Sequence, residues 1–135
     1  MGAFTNKMEE LITEHFLRTG TSITQPASLH LCLFELDPTE AGSYVNECSY
    51  TGYTREAIVF NTINSSTGII TNNGAVTFDP NADASNVTVK FAGVSTSGTL
   101  GAGDLLIYGA LQADKTLAQG DTLSFADGAL SLTLD

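Results

Sequence analysis

The sequence predicts a mainly β protein, either an antiparallel β-sandwich or a small barrel, with one N-terminal helix. Apolar residues recur at every second position in about eight short runs, which is the period of strands with one buried face. Turn-forming residues separate these runs at intervals of roughly 8 to 12 residues, as in sandwiches and barrels. Helical spacing occurs near the N-terminus. We therefore expect an N-terminal arm or helix at residues 1–20 and one β-sandwich domain at residues 21–135.

The N-terminal segment has the pattern of one amphipathic helix. Asn6 followed by Glu9 fits an N-cap with a carboxylate three residues later, and Gly20 is placed to end the helix. We therefore predict a helix from Lys7 to about Arg18. Its apolar face must be buried against the chain's own sheet or against a neighbouring subunit, and the sequence leaves both alternatives open. That face comprises Met8, Leu11, Ile12, His15 and Phe16.

The segment Leu29 to Phe34 predicts a central strand, because the residues that alternate with its leucines are also largely apolar. Asp37-Pro38 ends this strand, and a long polar loop runs to about Thr54. Loops of this length are usually functional or interfacial. Further strands are predicted at residues 56–62, 69–70, 75–78 and 87–91.

The C-terminal 32 residues, 104–135, predict a three-stranded meander. Its strands are expected at residues 105–111, 122–125 and 130–134, where Leu, Ile and Phe alternate with polar residues. Asp127-Gly128 fits a type I′ turn that would pair the last two strands directly. The turn signal at Gln119-Gly120-Asp121 would pair the first strand with the second.

Composition limits the classes of function. Charged residues make up 15% of the chain and apolar residues 42%, which leaves an exterior unusually poor in charge and predicts a homo-oligomer. With 15 acidic against 5 basic residues, the net charge is −10, so nucleic-acid binding is not expected. There is no long apolar run that would span a membrane, and the charged N-terminus argues against a signal peptide.

Cys32 and Cys48 are expected to be free thiols, Cys32 packed as a small hydrophobe and Cys48 in a loop.

The sequence predicts no enzyme, no cofactor and no metal site. Neither histidine stands in metal-ligand spacing with a cysteine, and the glycine-rich segment Gly93 to Gly103 lacks the lysine of a phosphate loop. A second segment resembles the start of a calcium loop, but its sixth position is Ala84 and its twelfth is Lys90. We therefore interpret it as a solvated turn. Its candidate ligands are Asp79, Asn81, Asp83 and Ser85.

Three tyrosines and one arginine stand out in and after the long loop. Tyr44, Tyr50 and Tyr53 could form a patch that binds glycans or protein, since Tyr offers a flat face and a hydroxyl group. They could equally fold back as a lid over the sandwich. Arg55 is one of five cations on an acidic chain. It could form an ordinary surface ion pair or a clamp between subunits.

Five segments together resemble a family of small virion structural proteins of tailed bacteriophages, of the tail-fibre or capsid-cement type. The segments are Gly52 to Phe60, Asn73 to Phe78, Leu105 to Leu111, Gly120 to Phe125 and Asp127 to Asp135. The similarity spans nearly the whole chain. It implies a component of the virion, assembled in the host cytoplasm.

From this resemblance and the charge-poor composition we expect a capsid cement, or decoration, protein. It would be a homo-oligomer, with a trimer favoured, that binds the major capsid protein and stabilises the head by binding energy summed over many copies. The alternative is a tail or tail-fibre-associated protein that contacts the host receptor, for which the tyrosine loop would serve. The residues expected to contact the shell or sister subunits are Phe4, Met8, Leu11, Ile12, Phe16, Tyr44, Tyr50, Tyr53 and Arg55.

Overall fold

The computed structural model describes residues 2–20 and 22–133. Within them the chain is mainly β, with antiparallel strands and a single N-terminal helix, as predicted. The helix is α1 (Asn6–Phe16). The strands are β1 (Ala3–Phe4), β2 (Leu29–Phe34), β3 (Glu56–Ile58), β4 (Ile69–Thr71), β5 (Val76–Thr77), β6 (Val87–Ser95), β7 (Leu105–Leu117), β8 (Ser124–Phe125) and β9 (Ser131–Thr133).

The strands form one large open sheet and two small ones. The large sheet has the order β1-β7-β6-β2-β3, and the small sheets pair β4 with β9 and β5 with β8. The prediction of β2 as a central strand is confirmed, since it lies between β6 and β3. Because these sheets are open, the structure agrees with the sandwich alternative and not with the closed barrel.

The main core joins the large sheet to the two small ones. Leu31 and Val94 from the large sheet belong to the same buried cluster as Val76, Phe78 and Leu132. A smaller cluster of Cys32, Phe34 and Leu105, with Tyr44 packed on it, lies apart from the main core. Both cysteines are free and buried, so Cys48 is packed as well, although it lies in the loop.

The helix is capped by Thr5 and not by Asn6. The hydroxyl oxygen of Thr5 accepts a hydrogen bond from the backbone of Met8, and the Thr5 backbone donates to the carbonyl of Leu106 at 2.9 Å. Pairing of β1 with β7 therefore fixes the residue that begins the helix. The helix ends at Phe16 with Leu17 as C-cap, which is earlier than the predicted end near Arg18.

The predicted C-terminal meander is wrong. β7 pairs with β6 and β1, β8 pairs with β5, and β9 pairs with β4. The buried side chain of Asn72 bonds to both segments that flank the Asp127-Gly128 turn. Its amide donates to the carbonyl of Ala126 at 3.1 Å, and its oxygen accepts from the backbone of Leu130 at 2.9 Å. The backbone of Asn72 also donates to the carbonyl of Leu130 at 3.1 Å, so Asn72 binds the chain on both sides of the Asp127-Gly128 turn.

The two turns of this region exist, but they connect different sheets. Gly128 has a φ of 75°, while among the described non-glycine residues only Thr39 has a positive φ, so Asp127-Gly128 is not a type I′ turn. The turn at Gln119 to Asp121 is closed by a 2.9 Å bond from the backbone of Asp121 to the carbonyl of Ala118. β7 reaches this turn only at Leu117, well beyond the predicted end at Leu111. After the turn the chain enters β8, which pairs with β5 of a small sheet.

Candidate interaction surface

The long loop, residues 37–54, folds back onto the sandwich. Tyr50 and Tyr53 are 4% and 5% exposed. The Tyr53 hydroxyl accepts a hydrogen bond from the backbone of Leu33 at 3.0 Å and donates to Glu47 at 2.9 Å. Tyr44 is half-buried and stacks near Phe34. The tyrosines therefore follow the lid alternative, and Tyr50 and Tyr53 offer almost no contact surface to a partner.

Arg55 forms a buried bidentate ion pair with Glu47 inside the same chain. The two contacts are Nε to Oε1 at 2.7 Å and Nη2 to Oε2 at 2.8 Å, and the side chains are 0% and 6% exposed. The guanidinium also donates to the carbonyls of Ser97 and Ala102, both at 2.8 Å, and lies 4.3 Å from the ring centroid of Tyr44. Arg55 is therefore neither a surface pair nor a group exposed for clamping another subunit. It joins the long loop to the loop at residues 96–103.

The electrostatics of this cluster fit a structural role. Burial alone lowers the pKa of Arg55, but its hydrogen bonds with Glu47 outweigh burial and hold the pKa above its ordinary value. Burial raises the pKa of Tyr53 well above its usual range. Arg55 thus stays charged and Tyr53 stays protonated at neutral pH, so both keep their hydrogen bonds to Glu47.

Alkaline pH is expected to destabilise the protein. Burial, with the nearby charges of Glu35 and Glu47, raises the pKa of Cys48 from 9.0 to about 12. Burial also raises the pKa of Tyr50 from 10.0 to about 12. The folded chain keeps protons that the unfolded chain loses, so the free energy of unfolding should fall as the pH rises above 9.0 and continue falling towards pH 12.

Thermal melts followed by circular dichroism across that pH range measure this effect. A variant carrying both Cys48→Ala and Tyr50→Phe should show a weaker alkaline dependence than the unmodified chain. A melting temperature in the unmodified chain that stays constant through the alkaline range would contradict the expectation.

The helix packs on its own domain and leaves its C-terminal end exposed. α1 contacts β1 and β7, and Met8 and Leu11 pack against the main core. Phe4 and Ile12 are half-buried. Phe16 and Leu17 are 75% and 78% exposed. Of the two alternatives for the helix, its own domain therefore contacts the start of the apolar face, at Met8 and Leu11, and the C-terminal end of the helix remains uncovered.

Sequence reasoning missed several exposed apolar residues. Val45 is 87% exposed in the long loop, for which the sequence indicated only the tyrosines as contact residues. The bond from the backbone of Glu35 to the carbonyl of Asn46 aligns Leu36 with Val45, so these two side chains extend from neighbouring segments. The sequence feature that could have indicated this exposed residue is a single Val in a polar loop. The remaining exposed large apolar residues include Val59, Ile63, Ile69 and Leu100.

The calcium-like segment is used to build a loop. Asn81 is fully buried, and its amide donates to the carbonyls of Ser85 and Leu117 while its oxygen accepts from the backbone of Asp83. Asp83 in turn accepts from the backbone of Thr51. The turn is therefore anchored in the protein and not simply solvated. Within residues 2–20 and 22–133, no group of three or more His, Cys, Asp or Glu residues is arranged to hold a metal ion.

Comparison with known proteins agrees with the resemblance seen in the sequence. No curated protein matches the chain. No helix in the described part of the chain is long and apolar enough to cross a membrane. The model of a family described as podophage GP4 fiber I protein gp80 matches residues 3–133. The chain belongs to this family of tailed-phage structural proteins of the tail-fibre type.

Proposed function

We propose that this chain is a component of the phage tail fibre, or of its attachment to the virion, and that it acts by binding other virion proteins without catalytic turnover. The family description supports the fibre. The observation that carries the binding role is the uncovered last turn of α1, where Phe16 and Leu17 are 75% and 78% exposed. Large apolar side chains side by side at such exposure are typical of surfaces that another protein covers.

A homo-oligomer forms part of the proposal. The exterior has few charges, and the exposed apolar residues lie on several segments, which suits contacts with copies of the chain as well as with other proteins. Sedimentation of the purified chain at several concentrations tests this part. A single species of 14.2 kDa at every concentration would rule it out.

The position in the virion separates the fibre from the capsid-cement alternative. Gold-labelled antibodies against the chain, applied to intact particles and viewed by electron microscopy, should bind at the tail if the chain belongs to the fibre. Signal spread over the head would instead support a cement protein bound to the major capsid protein. The family is described as a fibre protein, so we expect the tail signal.

Aspartate at both Phe16 and Leu17 is expected to reduce incorporation into virions. Burying an apolar side chain contributes about 1.5–3 kcal/mol, so losing two such contacts should lower occupancy by a factor of ten or more. Copies per particle, measured by quantitative mass spectrometry of purified virions, give the result.

The matched control is Leu100→Asp. Leu100 is also exposed, at 51%, but it lies in the loop at residues 96–103 and not at the end of the helix. Both proteins should fold, since neither site is buried. Full incorporation of the Phe16 and Leu17 variant would show that the helix end makes no contact in the particle.

A further inference from the structure

The outer edge of β7 is unpaired over much of its length. β6 occupies one edge of β7, and on the other edge β1 pairs only with Ile107 and Tyr108. Within residues 2–20 and 22–133, no segment pairs with that outer edge between Leu111 and Thr116. An open edge presents backbone N–H and C=O groups that can pair with an added strand.

On its opposite edge, where it pairs with β6, β7 contains a bulge. Ala110 lies opposite Phe91, and Lys115 lies opposite Val89. The four residues 111–114 of β7 therefore face one residue of β6, Lys90. A bulge bends its strand and redirects side chains. Residues 112–116 are exposed, so this part of β7 is open to other molecules.

A groove of about 530 Å³ runs beside the bulge. Its other side is formed by residues 123–125 and 129–131. The large apolar residues in its lining are Leu111, Leu123, Phe125 and Leu130, and the lining contains Lys115 but no acidic residue of the described chain. Asp114, the neighbour of Lys115 in β7, is exposed but is not part of the lining. The groove is thus suited to apolar side chains and to a carboxylate.

We propose that this groove and the edge Leu111 to Thr116 form a docking site for an extended segment of another virion protein. The segment adds to β7 as a strand, places apolar side chains between Leu111 and Phe125, and sets a carboxylate against Lys115. Backbone pairing supplies affinity and the groove supplies specificity, as in other cases of strand addition. The inference rests on the proposed role as a structural virion protein and adds the chemistry of one partner.

The test uses the full chain, labelled with nitrogen-15, and two synthetic peptides, TVTLTET and TVTLTKT. Both peptides favour an extended conformation and differ only at one residue, which is Glu in one and Lys in the other. At about 0.15 M salt, which screens the chain's overall negative charge beyond about 8 Å, TVTLTET should shift the backbone amide resonances of residues 111–116 and bind about fivefold more tightly than TVTLTKT. Lys115→Glu should reverse that preference, because the exposed side chain at this position then carries the opposite charge.

Two further variants make the test specific. Ala113→Pro, which removes a backbone donor within the bulge, should weaken both peptides, whereas Lys7→Glu makes the same charge change on the helix and should leave the preference intact. Unshifted amides at 111–116, or equal binding of both peptides to the unmodified chain, would overturn the proposal. Protection of these amides by a dimer of the chain would assign the edge to a second copy and also overturn it. Antibody labelling of the head would refute the fibre role without altering these peptide results.

Discussion

Replacing Glu47 with Gln is expected to lower the free energy of unfolding by about 3–5 kcal/mol, because it leaves the Arg55 guanidinium charged and buried without its carboxylate partner. The Arg55 side chain is fully buried and makes a bidentate contact with Glu47 at 2.7 and 2.8 Å. The same change weakens the bond from the Tyr53 hydroxyl to Glu47. Urea denaturation followed by circular dichroism measures the loss.

Glu14→Gln is the matched control for this variant. Glu14 accepts a hydrogen bond from Arg18 at 2.8 Å, nearly the same distance, but these side chains are 35% and 67% exposed. Exposed pairs contribute about 0–1 kcal/mol. A loss at Glu47 no larger than the loss at Glu14 would show that burial adds nothing to this pair, contrary to the structure.

The period of apolar residues was sufficient to predict the mainly β class, the N-terminal helix and the central position of β2. It was not sufficient to predict which strands pair. Asn72 bonds to Ala126 and Leu130, which follow it by 54 and 58 residues. The Asp127-Gly128 turn forms, but the strands on either side of it pair with distant parts of the chain, and nothing within the C-terminal segment itself reveals those partners.

The burial of the candidate contact residues also depends on distant parts of the chain. Arg55 was a candidate because cations are rare in this sequence, and its partner Glu47 is only eight residues away. Its burial depends on carbonyls of Ser97 and Ala102, 42 and 47 residues further along the chain. Because tyrosine has both an apolar ring and a hydroxyl group, its side chain can form either a lid or a surface patch. Contacts with the folded core determine which of the two forms. The exposure of Phe16 likewise depends on how far the sheet extends beneath α1.

Replacing Phe78 with Ala is expected to cost about 3–5 kcal/mol of stability, since it removes a large side chain from the centre of the core and leaves a cavity. Phe78 is 1% exposed, stacks against Tyr53 with ring centroids 6.0 Å apart, and meets Phe125 edge-on at 6.5 Å. It therefore connects the folded-back loop to β8.

Phe16→Ala is the matched control, because the same atoms are lost from a side chain that is 75% exposed, and its cost should stay within about 0.5 kcal/mol. Urea denaturation of both variants gives the comparison. If Phe78→Ala were as mild as Phe16→Ala, Phe78 could not be the contact that joins the long loop to β8.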